Sequence, residues 1–233
     1  MAFYKEIICL ANSRKYLGRC IAGKELRAQK PGGWIRPVSS REMGEFTFPE
    51  ISFFNGEPPK LLDIVAVPLL KHSPHTYQTE NYLVDPGQRW LKRGLWPASA
   101  LAELCDAVDA LWLNGYHSVG GHNDRIPQDI TETQISSSLL FIKPERLAFI
   151  VREEFNAKKI RAEFTFKRNV YRLMVTDPAV EKRYLSHKSG AHQVNNAEVY
   201  LCLSLGEPFQ GHCYKLVASV FNLLARENVR LAA

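Results

Sequence analysis

Residues 159–166 read Lys-Ile-Arg-Ala-Glu-Phe-Thr-Phe, so that Ile160, Ala162, Phe164 and Phe166 alternate with Lys159, Arg161, Glu163 and Thr165. A period of two sends the two sets to opposite faces of an extended chain, which predicts a strand with one face buried. Apolar runs of strand length, bounded by Gly, Pro, Asn or Asp, recur through most of the sequence. In the first third they are "KEIICLA", "GRCIAGKEL", "GGWIRPVS", "LLDIVAVPLL" and "TENYLVD". In the second half they are "SSSLLFIKP", "RLAFIVREE", "NVYRLMVTD", "AEVYLCLSL" and "HCYKLVASVFNLL".

Between the two groups the period changes. Leu101, Leu104, Cys105, Val108, Leu111 and Trp112 fall at helical spacing after Pro97, and Asn114-Gly115 supplies a stop, which predicts a helix over 98–113. "GYHSVGGHNDRIPQD" then reads as a Gly-rich loop, "DPAVEKRYL" as a short helix from Pro178, and 214–225 as a strand turning helical around "SVFNLLARE". The sum is a mainly β (α+β) chain: two small antiparallel β-barrels joined by a helix, with one continuous barrel as the competing architecture. The expected division is 1–96 for the N-terminal barrel, 97–135 for the helical connector and Gly-rich loop, and 136–233 for the C-terminal barrel.

The chain has 233 residues, of which 45% are hydrophobic and 23% charged, enough for a sizeable core. A formal charge of +6 permits an anionic partner such as nucleic acid without requiring one. The absence of an apolar run of 18 residues predicts no transmembrane helix and no membrane partner. The start, "MAFYKEIICLANSRK", lacks the pattern of a secretory signal, and five cysteines are too few and scattered for a disulfide framework, so a reducing, cytoplasmic protein is expected.

Two stretches echo one another. "CLANSRKYLGRC" and "CLSLGEPFQGHC" each open with Cys-Leu, place Gly nine residues on and close with a second Cys. Zinc sites use close C-x₂₋₄-C pairs, which are missing here, so no metal is expected and the cysteines read as small buried hydrophobes in two similar strand–loop–strand units. These motifs, with "GGWIRPVS", "LLDIVAVPL" and "NDRI" in the same order, resemble the dual OB-containing domain family of prokaryotic proteins over most of the chain. The resemblance implies two OB-type barrels in one chain and binding of nucleic acid or nucleotides.

OB-type sheets bind single strands by stacking bases on aromatic rings and following phosphates with Lys and Arg. Asn12, Arg14, Lys15 and Arg19 lie in one loop between apolar strands, and Trp34 and Arg36 share a face if "GGWIRP" is a strand. "QRWLKRGLW" and "FKRNVYR" pair basic and aromatic residues as well, with core packing and solvated turns as the competing readings. In "SVGGHNDRI", Asn123 and Asp124 read either as contacts to a base edge, with Arg125 meeting a phosphate, or as caps of a structural turn with Arg125 paired internally.

No Walker loop, Rossmann fingerprint, G-x-S-x-G or H-E-x-x-H occurs, so neither a cofactor nor a catalytic constellation is expected. If the chain is an enzyme acting on nucleic acid or nucleotides, Asp124, Glu207 and His212 are its acid–base residues. The leading expectation is a binding module for nucleic acid, single-stranded, or for a nucleotide, in a bacterial multi-component system. A protein-interaction scaffold is the third reading.

Overall fold

The computed structural model describes residues 2–154, 156–194 and 198–222. The chain divides into two compact units, one of 1–104 with 136–138 and one of 105–135 with the residues from 139 onward.

The first unit carries β1 (Phe3–Lys15), β2 (Gly18–Arg27), β3 (Lys30–Val38), α1 (Phe48–Ile51), β4 (Asp63–His72), β5 (Asn81–Val84) and β6 (Leu91–Leu95). Strand order is β1-β2-β3-β5-β4-β6, with β1 pairing back onto β4. β1 is long enough to serve both ends of the sheet. Its first half pairs β4, from Phe3↔Leu69 to Ile8↔Ile64, and its second half pairs β2, from Ile7↔Glu25 to Lys15↔Gly18. A register shift between Cys9 and Ala11 bends it at the crossover. β3 and β5 run parallel from Arg36↔Asn81 to Val38↔Leu83. The result is a five-strand Greek-key barrel of OB type with β6 added along β4. Ile7, Cys9, Ile21, Ile35, Val65, Val67 and Leu69 fill it, and Trp90 meets Phe46 edge-on at 5.6 Å.

The second unit carries β7 (Arg125–Pro127), α2 (Gln128–Gln134), β8 (Leu139–Ile142), β9 (Arg146–Glu154), β10 (Ala157–Phe166), β11 (Asn169–Val175), α3 (Pro178–Tyr184), β12 (Gly190–Gln193), β13 (Val199–Phe209) and β14 (His212–Asn222). Its path is β12-β9-β10-β11-β14-β13-β8, with β11 and β14 parallel. The same barrel order emerges once β8 and β9 are taken as one broken strand. β8 pairs β13 as β1 pairs β4, and β9 pairs β10 as β1 pairs β2. The break falls at Lys143-Pro144-Glu145, where proline has no N–H to donate to a ladder. α3 stands between the third and fourth barrel strands, as α1 does in the first unit. Asp177 caps it, accepting from the backbone N–H groups of Ala179 and Val180 ahead of the helix expected at Pro178. The chain is thus mainly β, with two OB-type barrels.

Three expectations need correction. The helix over 98–113 is only a 3-10 helix over Ala98–Leu104. Leu101 and Leu104 are buried in the first unit's segment, whereas Leu111 belongs to the second barrel's core with Val108 and Trp112 packed against it. One helix cannot fill two cores, and the chain abandons it. The helical turn expected within 214–225 is strand through Asn222, and its last residues, 223–225, lie outside the described residues. The echoing Cys-Leu…Gly-x-Cys motifs do form two strand–turn–strand hairpins, but not equivalent ones. The first joins barrel strands one and two (β1–β2), and the second joins strands four and five (β13–β14).

Candidate functional site

The β1–β2 hairpin closes on the Lys15↔Gly18 pair, leaving Tyr16 and Leu17 at its tip. Tyr16 adopts φ +51° and is 61% exposed, and Arg14 beside it is exposed. Behind the tip, the backbone of Arg19 exchanges two hydrogen bonds with Phe46, at 2.8 and 2.9 Å. That contact is why residue 18 is glycine: a Cβ there would stand 2.5 Å from the Phe46 carbonyl oxygen. Residues 46–48 are thereby laid along the hairpin, and the Arg19 guanidinium rests 4.7 Å from the centre of the Phe48 ring.

Phe48 begins α1, a helix of four residues held by side chains rather than by its own length. The Thr47 N–H and hydroxyl each donate to Glu50 Oε2 at 2.7 Å, and Arg41 grips the same carboxylate through two N–H groups at 2.9 Å. Burial would raise the Glu50 pKa, but these donors outweigh it and hold the carboxyl at about 2. Beyond α1 a tight turn, closed by Gly56 N–H to Phe53 O at 3.0 Å, leaves Phe54 80% exposed. Phe48, Pro49, Phe53, Phe54 and Arg89 line a hollow of about 410 Å³. Solvent thus meets two large apolar rings, Phe48 at 49% and Phe54, flanked by the guanidinium groups of Arg19 and Arg89.

The remaining residues singled out in the first barrel are placed differently. Asn12 is half-buried and donates to the Pro59 carbonyl at 2.8 Å. Lys15 is half-buried beside the tip. Trp34 is half-buried, with the Lys24 ammonium 5.5 Å from its ring centre. Arg36 is 3% exposed and faces Glu80 at 3.6 Å, while Glu80 also accepts from the backbone and hydroxyl of Ser138. It is an interior cation, not a surface one. Trp90 and Trp96 of "QRWLKRGLW", and Tyr171 of "FKRNVYR", are core residues.

In the second barrel, 115–124 lies over the polar face of β10. Asn123, at φ +50°, accepts from Gly115 N–H at 2.8 Å and donates to Val170 O at 3.0 Å. Asp124 accepts from Ser118 N–H at 2.8 Å, from the Ser118 hydroxyl, and from Arg161 at 3.3 Å. Arg161 turns its other edge to Glu154 through two bonds of 3.0 Å. Packing is so close that a Cβ on Gly121 would stand 1.8 Å from Asp124 Oδ2. Asn123 and Asp124 thus bond within and around the loop. Arg125 is placed otherwise: its Nε is buried with no hydrogen-bond partner among the described residues.

Two residues that the sequence reading passed over stand out here. Arg161 sits on the polar side of the alternating strand yet is buried, because the 115–124 loop covers it. Lys215 is 1% exposed, donating to Leu113 O at 2.6 Å and Asn114 Oδ1 at 3.3 Å above the Tyr171 ring. Burial pushes its amine down to about 7 against the pull of Asp124. The signal was available: Cys213, Lys215 and Val217 share one face of β14, which puts a charge at a core position.

The three enzyme candidates face different partners. Asp124 meets Ser118 and Arg161, His212 Nδ1 lies 3.1 Å from Gln210 O in its own turn, and Glu207 is half-buried on β13. Among the described residues no group of three or more His, Cys, Asp or Glu could hold a metal, and no helix is long and apolar enough to cross a membrane. Burial, with Asp63 nearby, pushes the Cys9 thiol up to about 12, consistent with a packing role.

A family model described as the dual OB-containing domain matches residues 5–220. No curated protein and no solved structure matches the chain.

Proposed function

The chain belongs to the dual OB-containing domain family, and from that premise we propose that it binds single-stranded nucleic acid along the β1–β2 hairpin and the α1 segment of its first barrel. The observation that carries this reading is the exposed pair Phe48 and Phe54 set between Arg19 and Arg89. An isolated barrel gains nothing by exposing two phenyl rings, whereas unstacked bases gain roughly 1–3 kcal/mol each on such platforms. Arg14, Lys15 and Tyr16 extend the same surface along the hairpin, one of the two loops through which OB barrels hold oligonucleotides. The overall charge of +6 favours a polyanion.

Fluorescence anisotropy with labelled single-stranded DNA, single-stranded RNA and a duplex tests it. Single strands are expected to bind, and duplex to bind more weakly because paired bases cannot stack on Phe48 and Phe54. Phe54→Ala, at a solvent-exposed turn, is expected to weaken binding about 5- to 100-fold with an unchanged melting temperature. Equal affinity of the wild type and this variant removes the aromatic platform from the account, and no binding at low salt removes the proposal.

A further inference from the structure

The second barrel contains a cavity of about 660 Å³, well within the range of small-molecule sites. Met174 of β11 and Tyr214 and Leu216 of β14 give it an apolar wall, and Phe209 stands at its edge 6.4 Å from Tyr214. The polar side carries as many carboxylates as guanidinium groups, three of each, so what it can offer an anion is local rather than net charge. Asp124 and Glu154 share Arg161, a single cation between two carboxylates. Arg125, Arg152 and the stem of Lys215 also line the space, with the carboxylate of Glu153. Within this lining the buried Arg125 Nε has no acceptor among the described residues. A buried N–H left unpaired is costly, on the order of 1–3 kcal/mol, and more for a charged group. An anionic oxygen is the group that would relieve it, and Arg is the residue best shaped for phosphate or carboxylate.

We propose that this cavity is a binding site for a small organic anion, whose flat apolar body packs on Met174, Tyr214 and Leu216 and whose phosphate or carboxylate accepts from Arg125. The site goes beyond the nucleic-acid surface of the first barrel and shares no residue with it. The apolar wall accounts for the body, and Arg125, whose Nε lacks a partner, accounts for the charge. A bare inorganic anion satisfies only the second, and an uncharged aromatic only the first.

Isothermal titration calorimetry on the full chain separates these contributions. The probes are adenosine 5′-monophosphate and 2-naphthoate, which carry both features, and adenosine and inorganic phosphate, which carry one each. At least one of the first pair is expected to bind ten-fold or more tightly than either of the second. Which of the two wins distinguishes a phosphate from a carboxylate ligand. Arg125→Gln is expected to reduce that affinity at least ten-fold. Met174→Trp, which fills the cavity without touching Arg125, is expected to abolish it. Both variants are expected to keep wild-type affinity for single-stranded nucleic acid, which also reports that they are folded. Phosphate alone binding as tightly as the best probe overturns the proposal, as does no heat from either two-feature probe at millimolar concentration. Undiminished binding in Met174→Trp overturns it too, even if Arg125→Gln fails to fold.

Discussion

Lys215 shows how one residue can make the second barrel sensitive to pH. Its amine sits at about 7 in the folded protein and near 10.5 when exposed. Between those values the unfolded chain holds a proton that the folded chain releases, so stability rises with pH across the window. Below about 7 both states are protonated and this contribution is flat at its lowest. Each unit of separation is worth about 1.4 kcal/mol, so the effect reaches a few kcal/mol. Lys215→Met removes the titration while keeping a similar stem over Tyr171. Urea unfolding of both proteins at several pH values from 6.5 to 9.5 is expected to show wild type gaining on the variant by roughly 1 kcal/mol per pH unit above 7. A constant difference across that range means that the amine stays charged, and the assignment fails. The residue was open to discovery in the sequence because its position in β14 falls on the same face as Cys213 and Val217. Arg161 was not. It obeys the polar half of its own alternation, and only the folding back of 115–124 buries it.

At the scale of elements, the first barrel depends on β1 changing partners halfway along, from β4 to β2. At that crossover β2 passes so close that a Cβ on Gly23 would lie 2.2 Å from the Ile8 carbonyl oxygen. The obstacle is backbone, fixed by ladders on both sides, and cannot swing away. Gly23→Ala is therefore expected to destabilise the protein by about 2–3 kcal/mol, read as a lower urea midpoint. Gly33→Ala, with nothing within 4 Å of the new Cβ, is expected to stay within about 0.5 kcal/mol of wild type. Equal losses at the two positions mean that close passage at Gly23 is not the constraint. Strands were legible because alternation and turn residues act locally. Their equivalence was not, since barrel position depends on distant partners. Hence the same Cys-Leu…Gly-x-Cys pattern serves hairpin one–two in one barrel and four–five in the other. The two glycines answer different needs as well: Gly18 makes room for Phe46, while Gly211, at φ +74°, forms the turn with Gln210 at φ +50°. The exposed Phe48 and Phe54 passed unnoticed because no periodic pattern marks a ring at the start of a four-residue helix or on a turn.

For the whole molecule, two strand groups flanking a change of period fitted two barrels but also one continuous barrel, and only the family resemblance favoured two. The broken first strand of the second barrel stayed hidden because β8 and β9 look like separate strands until their partners are known. Each barrel has its own core, and the two proposed sites differ in the number of charges they engage. Salt concentration should therefore tell them apart. A single strand whose phosphates are met by Arg14, Lys15, Arg19 and Arg89 displaces about four counterions, giving a slope of about −3 in log affinity against log salt. Raising sodium chloride from about 50 to about 200 mM is then expected to weaken nucleic-acid binding roughly 50-fold. An anion held in the second barrel by Arg125 and apolar contact releases few ions, and the same change should shift its affinity only a few-fold. Arg14→Ala with Arg89→Ala is expected to flatten the first slope to about −1.5 and leave the second untouched. If the two affinities fall in parallel with salt, both ligands are being drawn by the general charge of the chain, and neither site is the specific one described.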